Sequence, residues 1–290
     1  MQGVGLTILN SMAGPDFEQA LDRHLEWNLK VLDLKDAVFG KGVADLSEDE
    51  AARAAALIER RGLSVFCLST LLFGGAVEDG EEAFRSKHAA GLSRAIAVAR
   101  ALRPRLVRLL TPRSRRRSEF PNCVEYVRGE HRWLFAAYAE AIDMLWQAGF
   151  RATIENEVGG CILAGPAEVR DFFGELGCGE KAVFTWDVQN MWQEGTFPTL
   201  EVYRELKPFI GYYHVKGGQR SQRGTALRWQ SGLEDASWPV VEITSRVVAD
   251  GVAPVICLNP PHGKARPGYD YANLTDRDLG FLRSRIPGVE

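Results

Sequence analysis

AIDMLWQAGFRATIENE, residues 141–157, contains the sequence unit that decides the fold. Its first half has the apolar spacing of an amphipathic helix and ends at Gly149. The residue after a helix often adopts a left-handed backbone conformation, which glycine adopts most easily because it has no Cβ atom. Its second half is a short apolar run that ends in polar residues, which is typical of a strand buried on both faces of a parallel sheet. The unit therefore predicts a helix followed by a buried strand.

The same unit occurs three more times along the chain. The copies are AALIERRG with LSVFCLST at 55–70, DFFGELG with CGEKAVFTWD at 171–187, and SRVVADG with VAPVICLN at 245–259, and their helices end at Gly62, Gly177 and Gly251. Weaker copies complete eight strands, each followed by a helical segment. The predicted strands are 4–9, 29–34, 63–69, 105–110, 151–156, 182–187, 210–216 and 253–258, and the predicted helices are 15–27, 47–61, 82–102, 130–148, 166–176, 198–208, 237–250 and 275–285.

Eight alternations of strand and helix predict an α/β protein with a single (β/α)8 TIM barrel domain over residues 1–290. The alternative, a doubly wound open sheet, more often has about five to seven strands. No linker-like or low-complexity stretch divides the chain. The longest predicted loops, 111–129 and 217–236, follow strands, so we expect them to line the mouth of the barrel.

The predicted helix starts agree with this order. Two pairs have the spacing of a capping box, in which a side chain at the helix start and a Glu three residues later satisfy backbone groups, and two prolines suit a first helical turn. These residues are Ser47 with Glu50, Asp79 with Glu82, Pro15 and Pro198.

The composition favours a soluble globular protein that acts on small molecules. Apolar residues make up 46% of the chain and charged residues 25%, and the net charge is −3. This charge argues against a general nucleic-acid binder, which needs an excess of Lys and Arg on one face. No run reaches the ~18 apolar residues of a spanning helix, and the start MQGVGLTILNSMAG lacks signal-peptide features, so we expect no membrane partner and a cytoplasmic location.

The cysteines predict neither a disulfide framework nor a zinc knuckle. The chain has five cysteines, an odd number, and no two of them have C-x-x-C spacing. Those within apolar strands are expected to act as small buried hydrophobic residues. The five are Cys67, Cys123, Cys161, Cys178 and Cys257.

Polar residues close each predicted strand and form the candidate site, because the carboxyl ends of barrel strands meet at one mouth. Asp33 and Asp36 are interpreted first as helix N-caps, the commoner role of an acid after a strand. The full set is Asn10, Asp33, Lys35, Asp36, Ser69, Thr70, Arg108, Glu155, Asn156, Glu157, Asp187, Asn190, His214, Lys216, Asn259 and His262.

Glu155, Asp187 and His214 are the strongest candidates. They close three successive strands, whose neighbours lie ~4.8 Å apart, so their side chains can converge. Glu155 follows the buried run FRATI, where a carboxylate is costly unless a metal or a cation pairs with it. His214 alone could be a satisfied core histidine. Two carboxylates with one imidazole suit Mn²⁺, Mg²⁺ or Co²⁺.

The segments ATIENE (152–157), FTWDVQN (184–190) and YYHVKGG (212–218) resemble the metal-site strands of the xylose-isomerase-like TIM barrel superfamily, especially its sugar phosphate isomerase/epimerase branch. The segments 31–50 and 60–70 likewise resemble the second and third strands of that branch. The resemblance covers nearly the whole chain. It implies a barrel fold and metal-dependent chemistry on sugars.

The resemblance also implies roles for individual residues. Glu155, Asp187 and His214 would ligate the metal, and Asn190 would be a polar residue beside the metal or the substrate. Two positions depart from the family pattern: Asn259 stands where a ligating Glu is usual, and Gly217 stands where an acid is usual. The Asn259 amide can still offer a carbonyl oxygen to a hard cation, at the loss of one negative charge.

In the family scheme the metal polarises a carbonyl while one carboxylate removes the α-proton and another returns it. Asn259 cannot act as the second base, so reactions that need one base remain open. The predicted enzyme is therefore a divalent-metal-dependent isomerase or epimerase acting on a sugar or related polyhydroxy carbonyl compound. Glu155 or Glu157 is the predicted base, and His262 or Lys216 is the group that protonates the leaving oxygen.

Other residues have predicted roles at the mouth. Asn190, Arg108 and Trp186 are the substrate-binding candidates, with core packing as the alternative for Trp186. Trp192 and Trp229 have the same two interpretations. The run PRSRRRSEF at 112–120 is interpreted as a solvated lid or subunit contact, and alternatively as an anion site.

Three alternatives to an isomerase or epimerase remain. One is a lyase or dehydratase that acts on a keto-sugar or glycoside at the same metal site. Another is a barrel that has lost catalysis and serves as a binding subunit. A nucleic-acid enzyme like the endonuclease branch of the superfamily is disfavoured, because that chemistry uses a histidine-rich site and this chain has five histidines, two of them in predicted helices. The outer helices would permit a homo-oligomer.

Overall fold

The computed structural model describes residues 3–262 and 265–290, and these form a (β/α)8 TIM barrel. Every pair of neighbouring barrel strands is parallel. The predicted strands are confirmed, most of them one or two residues shorter at their ends. They are β1 (Gly5–Ile8), β2 (Val31–Leu34), β3 (Ser64–Leu68), β4 (Leu106–Leu110), β5 (Arg151–Glu155), β6 (Ala182–Asp187), β7 (Ile210–Val215) and β8 (Val255–Leu258).

The strands pair in the order β1-β8-β7-β6-β5-β4-β3-β2. A parallel bridge between Leu9 and Asp33 links the two ends of this order, next to β1 and β2, so that the sheet is nearly closed. Asp187 on β6 is the register partner of His214 on β7, and Leu110 on β4 is that of Glu155 on β5. Glu155 is also the register partner of Thr185, two residues before Asp187, so the polar ends of β5, β6 and β7 lie next to one another.

Each of the eight predicted helical segments contains a helix. Short additional helices lie in the loops after β1, β4 and β6. The described helices are α1 (Asn10–Ala13), α2 (Phe17–Glu26), α3 (Glu48–Arg60), α4 (Glu81–Leu102), α5 (Cys123–Glu130), α6 (Trp133–Gln147), α7 (Pro166–Leu176), α8 (Val188–Gln193), α9 (Leu200–Leu206), α10 (Val240–Asp250) and α11 (Leu274–Arg285).

The predictions for helix ends are partly right. The four glycines after the repeated helices all have positive φ, as predicted. Ser47 and Glu50 form a complete capping box. Asp79 does not cap α4, because it lies in a short 3₁₀ turn and Gly80 is the N-cap residue. The two prolines each precede the N-cap residue instead of lying in the first turn.

The barrel encloses a small inner core beneath the polar mouth. Its apolar side chains lie on, or directly after, six of the eight strands, whereas the larger outer core fills the space between the strands and the helices. All five cysteines are free and four are buried, consistent with their predicted packing role. The inner core consists of Leu9, Phe66, Cys67, Leu106, Val183, Tyr212, Val255 and Cys257.

The loop after β7 folds back against the end of its own strand. It contains a two-stranded hairpin, Gln219–Arg220 with Leu227–Trp229. A Cβ atom at Gly217 would lie 2.1 Å from the carbonyl oxygen of Ser231 and 2.4 Å from that of Gly232. The close approach of this loop therefore requires a glycine at position 217.

Over residues 3–262 and 265–290, no helix combines the length and the apolar character needed to cross a bilayer.

Candidate metal centre

Glu155, Asp187 and His214 converge at the mouth of the barrel. Each offers one ligand atom, and the three atoms lie within 4.8 Å of one another. His214 Nδ1 is 3.0 Å from Glu155 Oε1 and 3.8 Å from Asp187 Oδ2. All three side chains are almost completely buried. The cluster is thus a compact set of two carboxylates and one imidazole, shielded from bulk water.

Arg108 neutralises Glu155 from the adjacent strand β4. Its guanidinium forms a buried ion pair with the Glu155 carboxylate and donates hydrogen bonds to the carbonyl oxygens of Thr70 (3.2 Å) and Ser69 (3.3 Å). Burial acts to raise the pKa of Glu155, but Arg108 and His214 outweigh burial and hold this pKa well below its usual range. Arg108 therefore keeps Glu155 ionised, in addition to any contact with a substrate.

Lys216, at the end of β7, neutralises the charge of Asp187. Its Nζ lies 2.6 Å from Asp187 Oδ2 and donates a hydrogen bond to Asn190 Oδ1 at 3.0 Å. Burial opposes ionisation of Asp187, but Lys216 outweighs it and lowers the pKa of Asp187. Each carboxylate of the cluster consequently has its own buried cation.

Two asparagines hold the ends of β5 and β6 together. Asn156 Nδ2 donates to the Asp187 carbonyl, and its Oδ1 accepts from the Asp187 N–H, both at 2.9 Å. The Asn190 N–H donates to Asp187 Oδ1 at 2.9 Å, and Asn190 Nδ2 donates to the Asn156 carbonyl at 3.1 Å. These bonds fix the Asp187 carboxylate, and Asn190 contacts a predicted ligand directly.

Asn259 occupies the fourth corner of the cluster. Its Nδ2 is 3.3 Å from His214 Nδ1, and its Oδ1 accepts a hydrogen bond from Cys257 Sγ at 3.3 Å. A 180° flip of the Asn259 amide would place its Oδ1 toward His214 and its Nδ2 toward Cys257. Burial lowers the pKa of His214, but Glu155 and Asp187 outweigh burial and raise it to about 9. The metal-free cluster therefore favours a protonated imidazole between acids.

Asp33 is not a helix N-cap, contrary to the sequence prediction. It lies within β2, is completely buried, and accepts a hydrogen bond from the Tyr212 hydroxyl at 2.8 Å. Its Oδ2 is 3.7 Å from His214 Nε2, on the side of the ring opposite Glu155. The N-cap prediction is also wrong for Asp36, which lies in the irregular segment after β2. An acid inside the apolar run VLDL was the signal that could have identified Asp33.

Glu157 lies just beyond Glu155 and is only partly buried. Burial and the nearby Glu155 carboxylate raise the pKa of Glu157. None of the described residues donates a hydrogen bond to its carboxylate; its backbone N–H donates to Cys161 Sγ at 3.4 Å. Glu157 is therefore an accessible acid whose proton affinity is above normal.

Two predicted site residues lie elsewhere. Trp186 is on the outer face of β6, completely buried and stacked on Tyr203 with 6.2 Å between ring centroids, so the structure assigns it to core packing instead of substrate binding. His262 is exposed on the loop after β8, and its Nδ1 is 2.9 Å from the Pro260 carbonyl oxygen. The sequence did not distinguish Trp186 from its neighbour Asp187, which points to the opposite face because side chains alternate along a strand.

The other tryptophans and the arginine loop have protein partners. Trp192 is buried and donates from Nε1 to the Thr225 carbonyl oxygen at 2.5 Å. The Arg266 guanidinium carbon lies 4.3 Å from the centroid of the Trp229 ring. The arginines at 115, 116 and 117 form ion pairs with carboxylates, which favours the interpretation as a lid or surface loop. These pairs are Arg115 with Asp79, Arg116 with Glu119 and Glu130, and Arg117 with Glu168.

The cluster fits a divalent metal in donor type and spacing. Carboxylate oxygens and an imidazole nitrogen are suitable donors for Mg²⁺, Mn²⁺ or Co²⁺. Within the described chain, Asp187 Oδ2 takes part in no well-directed hydrogen bond, although the Lys216 ammonium lies close to it. Arg108 and Lys216 already compensate two negative charges, so an incoming cation would compete with them.

A sequence model of the xylose isomerase-like TIM barrel family matches residues 30–284. The chain belongs to this family. No protein with a curated description matches the chain at a significant level. The family membership confirms the resemblance and the fold inferred from the strand-end motifs.

Solved structures share this fold at low sequence identity. A xylose isomerase-like TIM barrel protein from Mycobacterium smegmatis in complex with magnesium is 13% identical over 98% of this chain and 96% of its own, with a TM-score of 0.69. A 3-keto-D-glucoside 4-epimerase from E. coli is 13% identical over 97% and 99%, with a TM-score of 0.72. A probable 3-DHS dehydratase from Bacillus anthracis is 13% identical over 98% and 100%, with a TM-score of 0.71.

Proposed function

We propose that this protein is a sugar isomerase or epimerase-like enzyme that enolises a sugar or related polyhydroxy carbonyl compound. The observation that carries this proposal is the convergence of Glu155, Asp187 and His214 at the mouth, with ligand atoms within 4.8 Å of one another. The magnesium complex and the 3-keto-D-glucoside epimerase among the similar structures support the choice of a divalent metal and a carbohydrate.

The proposed metal ligands are Glu155, Asp187, His214 and the carbonyl oxygen of Asn259. When bound, a divalent metal would polarise the substrate carbonyl and stabilise negative charge on its oxygen. Asn156 and Asn190 hold the Asp187 carboxylate in place for this role through the hydrogen bonds between β5 and β6.

Glu157 is the better of the two predicted bases. Glu155 is paired with Arg108 and contacts His214, and these charges hold its pKa low. Glu157 has a raised pKa and a carboxylate that none of the described residues binds. A general base works best when its pKa approaches the working pH and its oxygen can reach the substrate. We assign proton removal to Glu157.

Lys216 is assigned to the substrate oxygens. Its ammonium group has three N–H donors, of which one donates to Asn190 Oδ1, while the Asp187 carboxylate lies 2.6 Å from the nitrogen as an ion pair. Burial lowers the pKa of Lys216, but Asp187 outweighs burial and raises it, so the amine stays protonated. The remaining N–H can donate to a substrate hydroxyl or carbonyl oxygen, and it can protonate a leaving oxygen.

Asn259 favours reactions that need one base. Its amide lies at the fourth corner of the cluster, 3.3 Å from His214 Nδ1, and cannot remove a proton from the opposite face of a sugar carbon. Aldose–ketose isomerisation and elimination of water or an alcohol both begin with the same enolisation. The probable dehydratase among the similar structures makes elimination the second candidate.

Deuterium incorporation from D₂O tests enolisation without knowledge of the product. Purified protein with Mn²⁺ is incubated with a panel of ketoses and 3-keto-glucosides, and exchange of the α-proton is followed by NMR. We expect exchange with at least one compound, a rate at least 100-fold lower for Glu157→Gln, and a normal rate for Glu234→Gln, a control on the exposed part of the same face.

Metal content tests the site independently. Elemental analysis of wild-type protein should show about one equivalent of divalent metal, and Glu155→Gln and His214→Ala should lose most of it while remaining folded by circular dichroism. Unchanged metal content in both variants would exclude this centre. Metal retention without exchange of any tested sugar would instead favour the binding-subunit alternative.

A further inference from the structure

Asp33 is a buried carboxylate that does not have the helix-cap role predicted from the sequence, and the family comparison gives it no other role. It is completely buried in β2, on the opposite side of the barrel from β5 and β6. Its Oδ2 accepts from the Tyr212 hydroxyl, whereas its Oδ1 has no hydrogen-bond partner in residues 3–262 and 265–290. Such a group is costly for folding, which suggests that it is retained for function.

The imidazole of His214 lies between two sets of acids. Its Nδ1 faces Glu155 Oε1 at 3.0 Å and Asp187 Oδ2 at 3.8 Å. Its Nε2 faces Asp33 Oδ2 at 3.7 Å and forms no hydrogen bond within the described chain. The ring of Tyr212 packs edge-on against the imidazole, with 4.6 Å between centroids. Tyr212 thus contacts both the acid and the ring that the acid faces.

A neutral imidazole carries one proton, and its position decides which nitrogen can bind a metal. Glu155 and Asp187 alone would favour a proton on Nδ1, the nitrogen that faces the candidate metal position. A carboxylate at Nε2 favours the other tautomer and leaves the Nδ1 lone pair available. Metal-bound histidines commonly donate their second N–H to a carboxylate; here Asp33 Oδ2 faces Nε2 at 3.7 Å and favours a proton there through its charge.

We propose that Asp33 is a positioning residue that holds the His214 proton on Nε2 and thereby presents Nδ1 to the metal. The inference deepens the proposed function and rests on it for the metal, but the tautomer itself is a property of the metal-free protein. Asp33 contacts neither the metal nor the substrate in this scheme. Tyr212 supports it by fixing Asp33 Oδ2.

A separate metal site made of Asp33, His214 and Cys257 is the competing explanation. Their ligand atoms also lie within 4.8 Å of one another. However, the Cys257 thiol donates to Asn259 Oδ1, and burial, followed by the charge of Asp33, raises its pKa well above the usual range. A thiol that holds its proton is a poor ligand, since metals bind the thiolate.

The proposal is tested with Asp33→Asn, which keeps the shape of the side chain and removes its charge. Mn²⁺ affinity is measured by calorimetry, and the His214 tautomer is read from ¹⁵N chemical shifts of metal-free protein in the alkaline range where the ring is neutral. We expect Mn²⁺ binding to weaken about 10–100-fold. We also expect the proton to be on Nε2 in the wild type and to move toward Nδ1 in the variant.

Three further variants keep the result interpretable. Cys67→Ala, a buried change beside Asp33 on β3, should leave both the affinity and the tautomer unchanged. Tyr212→Phe should shift both in the direction of Asp33→Asn by a smaller factor, and it provides the test if Asp33→Asn does not fold. Cys257→Ala should keep full metal content, whereas loss of metal in this variant would support the competing site and overturn the proposal.

The outcomes separate this inference from the proposed function. A wild-type His214 with its proton on Nδ1, or an Asp33→Asn protein with wild-type Mn²⁺ affinity while Glu155→Gln loses metal, would overturn the role of Asp33 alone. Unchanged metal content in Glu155→Gln and His214→Ala would overturn the metal centre. In that event the tautomer shift would still decide whether Asp33 orients His214.

Discussion

Two regions of the molecule bury carboxylates in opposite ways. At the ends of β5 and β6, Glu155 and Asp187 each face a buried cation, Arg108 and Lys216 respectively. On α11, Asp278 is equally buried but accepts only the Leu233 N–H, at 2.8 Å, and its Oδ2 has no hydrogen-bond partner in the described chain. The first region holds paired charges, and the second anchors a loop.

The pKa values of the two regions move in opposite directions as a result. The pKa values of Glu155 and Asp187 lie below their usual ranges although burial opposes this. Burial raises the pKa of Asp278 to about 7, and the Leu233 N–H and Arg277 oppose it only in part. The difference shows that burial neutralises a carboxylate unless a fixed cation accompanies it. The mouth is therefore built to keep two negative charges at neutral pH.

Removal of the Arg108 cation should have the largest effect. Arg108→Met leaves Glu155 buried without its partner, and loss of one member of a buried pair typically costs about 3–5 kcal/mol. We expect the free energy of unfolding, measured by urea denaturation in the metal-free protein, to fall by roughly this amount.

Two variants control this measurement. Arg115→Met breaks an exposed pair with Asp79 and should change stability by less than about 1 kcal/mol. Arg108→Met combined with Glu155→Gln should recover part of the loss, because the unpaired charge is removed as well. A single Arg108→Met variant as stable as wild type would contradict the charge balance described for the mouth.

The fold was predictable from the sequence because its signals are local. Each strand carries its own apolar run, and each repeated helix ends at a glycine with positive φ. Glu155, Asp187 and His214 were predictable for a related reason: the ends of consecutive parallel strands meet at one mouth, so order along the chain gives proximity in space.

Contacts across the barrel were not predictable in this way. Asp33 reaches His214 and Tyr212 from a strand far away in sequence, so the acid was assigned instead to a local role as a helix cap. The pairing of Arg108 with Glu155 depends on a register that the sequence does not state. The requirement for Gly217 arises from the loop that folds back over it.

A carboxylate at position 259 tests whether the mouth can hold a third charge at the metal. In Asn259→Glu the new acid lies beside His214, and metal affinity rises with the number of charged ligands. We expect the Mn²⁺ dissociation constant to fall about tenfold, or roughly 1.4 kcal/mol, and the metal-free protein to become less stable.

Asn259→Gln is the matched control, since it has the length of the new side chain without the charge. It should bind Mn²⁺ no more tightly than wild type. Equal affinity of Asn259→Glu and wild type would mean that the Asn259 corner lies outside the coordination sphere, and the proposed ligand set would shrink to three residues.

Asp278 provides the clearest pH signature. Its pKa is 3.8 for the unperturbed group and about 7 in the folded protein, so the folded state binds a proton that the unfolded chain has released. The contribution of Asp278 to stability is therefore fully present below pH 3.8 and is lost as the pH rises through about 7. The free energy of unfolding falls by at most about 1.4 kcal/mol per pH unit in this range.

Asp278→Asn should remove this pH dependence, because an amide oxygen can still accept the Leu233 N–H and carries no charge. We expect the variant to be more stable than wild type at pH ~8 and equal to it at acidic pH, with Tm measured across the range. Asp276→Asn, an exposed change on the same helix, should keep the wild-type slope. If Asp278→Asn kept that slope too, a compensating cation would have to accompany Asp278, and the contrast with the mouth would disappear.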